Sequence, residues 1–142
     1  MKILIINGPN INFLGIREPS VYGSATYDDL LVMIAKKGEE IDCKIEVFQS
    51  NHEGAIIDRI QDAHYDETQA IIINPGAYTH YSYAIRDALV SVNMTKVEVH
   101  VSDISQREDF RKVSVVRDAC DYQIKVKGLE VYLEAIDFIV HK

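Results

Sequence analysis

Short apolar runs, alternating with stretches of helical periodicity, recur five times along the chain, and this alternation constrains the fold more than any other feature. The runs lie at 3–6, 44–48, 70–73, 97–101 and, more weakly, 122–126. They are rich in Ile and Val, and the first and third are unbroken, as strands covered on both faces are. Thr26 can cap a helix carrying Leu30, Leu31, Ile34 and Ala35, and Ser50 or Asn51 can cap another carrying Ile56, Ile57 and Ile60. A third helix, from about His80, places Ile85, Ala88, Leu89 and Val92 on one side; a last one, from Gly128, carries Leu129, Tyr132, Leu133 and Ile136. The stretch 105–119 breaks the rhythm, being charged and irregular with room for a short helix around 108–111.

Strand–helix alternation of this kind implies a parallel sheet with helices on both faces, joined by right-handed crossovers. The expected fold is α/β: a flavodoxin-like, doubly wound, five-stranded parallel sheet of order 2-1-3-4-5. At 142 residues the chain has room for one domain, expected to span 1–142. Fifteen Lys and Arg against 22 Asp and Glu leave a net charge of −7, which argues against nucleic-acid or anionic-membrane partners because both want a basic face. No apolar run approaches the ~18 residues of a membrane span, and the opening run, cut short by Gly8-Pro9, is too short for a signal peptide. Cys43 and Cys120 show no metal or redox spacing, so a reduced, cytoplasmic setting is expected and neither is assigned a role.

Ligands of open α/β sheets bind beyond the carboxyl ends of the strands, near the point where strand order reverses. Here those ends read Asn7-Gly8-Pro9-Asn10, Asn74-Pro75-Gly76-Ala77-Tyr78-Thr79-His80 and Glu98-Val99-His100-Val101-Ser102-Asp103. The expected order makes their strands neighbours, so these polar ends should line one crevice. No G-x-G-x-x-G, no P-loop and no nucleophile elbow occurs, and the five histidines lack metal-ligand spacing. What remains is acid–base chemistry on a small polar molecule.

The loop from Asn10 to Gly23 is long for a β–α connection, and long loops in compact domains are often lids over active sites. A guanidinium beside a phenol favours the phenolate, so Arg17 near Tyr22 could make a tyrosine base; a solvated arginine and a packed tyrosine fit the loop equally well. Glu98 and His100 are two apart on a strand and share a face. A carboxylate there orients an imidazole and favours its protonated form, making His100 a candidate general acid or, on the plainer reading, a hydrogen-bonded structural residue. His80 sits after Gly76 at the expected helix start, suited either to an anionic ligand or to a simple cap.

The strand-end motifs, with Leu14-Gly15-x-Arg17-Glu18-Pro19, Tyr22-Gly23 and Ala84-Ile85-Arg86-Asp87-Ala88, resemble those of the type II 3-dehydroquinate dehydratases, in order and separation, from the start of the chain to about Arg111. The resemblance implies dehydration of 3-dehydroquinate to 3-dehydroshikimate by anti elimination through an enolate, with no cofactor and no metal. It implies Tyr22 as base, His100 as acid with Glu98 as its partner, Arg17 holding Tyr22 ionised, and Asn10 and Asn74 managing the enolate and substrate oxygens. His80, Asp87, Val101, Ser102 and Arg111 fall on substrate-contact positions, Asp87 reaching into a neighbouring subunit's site. It further implies a homo-oligomer, a dodecamer built from trimers. The chain departs from the family pattern at Asp103, where most relatives carry Asn, and along Lys112–Asp121, which lacks the usual proline and glycine-rich run, so the last strand is expected to pack differently. A competing reading keeps the pocket without turnover, as a binding or assembly module; an unrelated hydrolase on the same fold lacks a nucleophile.

Overall fold

The computed structural model describes residues 1–16, 24–102, 108–125 and 128–142. Five strands, β1 (Lys2–Asn7), β2 (Lys44–Gln49), β3 (Ala70–Asn74), β4 (Thr95–Val99) and β5 (Tyr122–Ile124), form one sheet. Every pairing is parallel and the order is β2-β1-β3-β4-β5. Among the described residues four α-helices join them: α1 (Tyr27–Glu40), α2 (Glu53–Tyr65), α3 (Tyr83–Val90) and α4 (Glu130–Val140). The expected flavodoxin-like topology is therefore present, and β1 from Ile3 onward and the whole of β3 are buried, as unbroken apolar runs require.

Strand periodicity of two sorts the isoleucines onto two faces. Ile3, Ile5, Ile72, Val97 and Val99 pack against Leu30 and Ile34 of α1 and Val131, Ala135, Ile136 and Ile139 of α4. Leu4, Ile6, Ile71 and Ile73 pack on the other face against Ile56 and Ile60 of α2 and Ile85 and Leu89 of α3. On this second face β4 departs from the pattern: Lys96 and Glu98 stand beside Ile71 and Ile73. The Lys96 ammonium donates to the carbonyls of Leu89 (2.7 Å) and Val92 (2.6 Å), placing a cation where the end of α3 presents unsatisfied acceptors.

Element boundaries correct the sequence reading in places. Thr26 caps α1 as expected, in a reciprocal capping box with Asp29. For α2, neither Ser50 nor Asn51 is the cap; His52 holds that position without a side-chain bond. The Ser50 hydroxyl accepts from the His52 N–H instead, and the Asn51 side-chain Oδ1 accepts from the Asn10 N–H and the Gln49 amide. The third helix does not begin at His80. Pro75 and the left-handed Gly76 lead into a 3₁₀ turn over Gly76–His80, and α3 starts after Ser82, whose hydroxyl accepts from the Ile85 N–H. β4 spans Thr95–Val99 rather than 97–101, and the short helical turn expected near 108–111 is present as a 3₁₀ turn at Asp109–Arg111. Among the described residues no helix is long and apolar enough to cross a membrane.

Candidate active site

The ends of β1 and β3 interlock, and this contact builds the floor of the site. Gly8 donates its N–H to the Asn74 carbonyl at 2.8 Å. A Cβ on Gly8 would stand 2.4 Å from the Pro75 carbonyl oxygen, and one on Gly76 would stand 2.9 Å from that of Pro9. Each loop thus needs a glycine where the other crosses it, which explains Asn-Gly-Pro-Asn and Asn-Pro-Gly as a matched pair. Asn10 follows in the left-handed conformation at φ 68°, tolerated by asparagine, with its N–H held by Asn51 at 3.1 Å.

Over this floor lies an open crevice of about 680 Å³ when the space open to solvent is counted. Asn10, Asn74, His80, His100, Val101, Ser102 and Arg111 all line it, with apolar walls from Ile11, Phe13 and Leu14. All but Arg111, which comes from the 3₁₀ turn Asp109–Arg111, lie at or just beyond the carboxyl ends of β1, β3 and β4, the three strands expected to converge here. Asp87 lies elsewhere, exposed on α3. Arg17 and Tyr22 lie outside the described residues, as does Asp103.

His100 and Glu98 meet as their spacing requires: the imidazole Nε2 hydrogen-bonds the Glu98 carboxylate, with both side chains buried. Ser114 donates its hydroxyl to the same oxygen at 2.8 Å. Burial pushes the Glu98 carboxyl up, but His100, Ser114 and Gln123 outweigh it and hold the group below its ordinary value, so it stays ionised. A carboxylate only accepts, so Nε2 carries a hydrogen toward it and Nδ1 is the nitrogen left for chemistry. The neighbouring chain segment is tied to the crevice on both sides of Ser114. His80 Nδ1 hydrogen-bonds the Val113 carbonyl at 2.8 Å, and the Val115 N–H donates to the Thr79 carbonyl at 2.9 Å.

Asn74 is 3% exposed and belongs to a buried polar chain that the sequence reading missed. Its Nδ2 donates to the Tyr132 hydroxyl at 3.0 Å, and that hydroxyl donates to Asn7 Oδ1 at 2.6 Å. Tyr132 occupies an apolar position in the helical pattern of α4 and reads as core; the only sequence signal was asparagine at the matching ends of two otherwise apolar strands. Arg111 is paired with Glu108 at 2.6 Å in the crevice wall. Among the described residues no group of three or more His, Cys, Asp or Glu side chains could hold a metal ion.

The family described as Dehydroquinase class II matches residues 1–140. A 3-dehydroquinate dehydratase of Lachnospira eligens is 57% identical over 141 residues, covering 99% of this chain and 96% of the relative. One from Lachnoclostridium phytofermentans is 59% identical over 140 residues, covering 99% and 97%. Among solved structures, a type II dehydroquinase from Butyrivibrio crossotus superposes with a TM-score of 0.98 at 55% identity, covering 99% of this chain and 97% of the other. Agreement of that extent leaves no room for a rearranged last strand, so the expectation that it packs differently is not met. The hydrogen bonds from Val113, Ser114 and Val115 to the crevice supply a physical reason: they seat the altered segment without the usual prolines and glycines.

Proposed function

The chain belongs to the class II dehydroquinase family, and from that premise we propose that it is a lyase dehydrating 3-dehydroquinate to 3-dehydroshikimate by anti elimination through an enolate. The observation that carries this reading is His100, hydrogen-bonded to a buried, ionised Glu98, in a crevice also lined by Asn10 and Asn74. Tyr22, as phenolate beside Arg17, takes the proton from the carbon next to the ketone. The electron pair moves onto the ketone oxygen, where Asn10 and Asn74 meet the growing charge; preorganised donors aimed at such an oxygen are worth about 3–4 kcal/mol each in comparable sites. The enolate then collapses and expels the hydroxyl on the opposite face, which His100 protonates, so that water leaves. Glu98 orients the imidazole from the far side of the ring. His80, Val101, Ser102 and Arg111 contact the substrate.

The ketone itself acidifies the proton to be removed and the reaction is redox-neutral, so the proposal calls for no cofactor. Two free cysteines, Cys43 and Cys120, suit a reducing cytoplasmic setting. The assembly proposed with this chemistry is a dodecamer built from trimers, in which Asp87 completes a neighbour's site. The test is absorbance of the conjugated enone product from 3-dehydroquinate, with EDTA present and after borohydride treatment of the protein in the presence of substrate. Turnover surviving both supports acid–base elimination without metal or imine. Loss to borohydride would replace the tyrosine base with a Schiff-base route, and saturable binding without turnover would leave a binding module.

A further inference from the structure

We infer that Tyr132 is a positioning residue for this reaction, its hydroxyl fixing the Asn74 carboxamide so that one N–H remains aimed at the crevice. The inference rests on the proposal that Asn74 serves the substrate's oxygens. Hydrogen-bond directions are forced along the chain. Asn7 Oδ1 is an acceptor only and lies 2.6 Å from the Tyr132 oxygen, so the single phenol hydrogen goes there. Asn74 Nδ2, at 3.0 Å, must then donate to the Tyr132 oxygen. The Asn74 Oδ1 accepts from the Gly76 N–H at 3.2 Å, which sets the carboxamide's other end. With both ends tied, the planar group cannot turn, and the second Nδ2 hydrogen is the donor left for the crevice that Asn74 lines.

The chain continues beyond the residues in contact with it: Asn7 Nδ2 donates to the Tyr27 hydroxyl at 3.3 Å, so α1, α4, β1 and β3 all bear on one amide. Tyr132 is 0% exposed, and burial raises its phenol further, so it holds its proton and keeps this polarity. A phenylalanine would fill the same space but leave Asn7 without its donor and the Asn74 carboxamide held at its oxygen end alone. A donor preorganised for a charge that develops during the reaction affects turnover more than ground-state binding.

The experiment is a double-mutant cycle on kcat and KM with Tyr132→Phe, Asn74→Ala and the pair. Asn74→Ala is expected to lower kcat about 100-fold, and Tyr132→Phe about tenfold with KM changed less than about twofold, as displacement of an aligned group does. In the Asn74→Ala background, Tyr132→Phe should cost nothing more. If Tyr132→Phe slows both backgrounds by the same factor, its role is structural and the inference is overturned. Unchanged kcat in Tyr132→Phe beside a slow Asn74→Ala also overturns it, while leaving Asn74's role intact. If Asn74→Ala itself turns over normally, the role of Asn74 fails and this inference falls with it. Should Tyr132→Phe not fold, as melting would show, Asn7→Ala removes the phenol's acceptor and is read in the same cycle, with the same non-additivity expected.

Discussion

Glu98 places a charge where the neighbouring strand offers Ile73, and its stabilising contribution has a defined pH dependence. Its folded pKa lies below the ordinary 4.5, so the folded state favours the carboxylate. The contribution is complete above 4.5 and is lost as pH falls through the lower folded value. Glu98→Gln should therefore be less stable than the parent at pH 7 by about 1–3 kcal/mol, and chemical denaturation from pH 7 toward pH 3 should show that gap narrowing. A constant gap would mean that charge is not what Glu98 contributes. Arg111 offers a milder test. Its partner Glu108 is exposed, and pairs of that kind contribute only about 0–1 kcal/mol. Glu108→Gln should free the guanidinium for an anionic substrate and lower KM a few-fold with kcat unchanged; a raised KM would mean that Glu108 instead holds Arg111 in place. The Glu98–His100 contact was legible because strand alternation alone puts residues two apart on one face. Tyr132 was not legible: its partner Asn7 is 125 residues away, and nothing in a helical period distinguishes a core tyrosine from one whose hydroxyl reaches a strand end.

Helix starts show the same division. Thr26 and Asp29 form a local motif three residues apart, complete within itself, and the sequence displays it. The Ser50 and Asn51 side chains are equally good caps on paper, but Ser50 is taken by the local His52 N–H and Asn51 by a tertiary contact at the site. The Asn51 Oδ1 accepts from the Asn10 backbone and the Gln49 amide, while its backbone carbonyl accepts from the Tyr78 hydroxyl. At α3 the competing term is the β1–β3 crossing. It requires the left-handed Gly76 and delays the α-helix until Ser82, leaving His80 at the end of a 3₁₀ turn against Phe110. Ser82 both caps α3 and donates to Glu53 of α2 at 2.5 Å. Ser82→Ala removes both links and should cost about 1–2 kcal/mol, measured as a lower denaturant midpoint at unchanged slope. A loss below ~0.3 kcal/mol would show that the preceding turn, not the cap, fixes where α3 begins.

At the scale of the molecule, the strand order places the carboxyl ends of β1, β3 and β4 side by side, and this one consequence of topology gathers most of the expected site residues. Asp87 is the exception within the described residues, and its surroundings argue for the assembly proposed above. Tyr83, Asp87 and Val90 recur at spacings of four and three along α3, so they share a face, and Tyr83 and Val90 are 64% and 59% exposed. The opposite face, with Ile85 and Leu89, is spent on the core. Tyr81, Phe110 and Val113, also exposed, extend the apolar character into the adjoining turns. If a second copy covers this face, Asp87 enters a site whose His100 belongs to another chain. Asp87→Ala and His100→Ala oligomers, each nearly inactive alone, should then recover activity when dissociated together and reassembled, because mixed interfaces place an intact Asp87 beside an intact His100. The recovered fraction is limited by how often such interfaces form, and capture through an affinity tag carried by only one of the two variants reports that the copies exchanged. Exchange without recovery would assign Asp87 to its own chain's chemistry or to none. Tyr83→Glu adds the complementary measurement: a charge on the shared face should dissociate the assembly and lower turnover together. Dissociation with full turnover would separate the site from the interface.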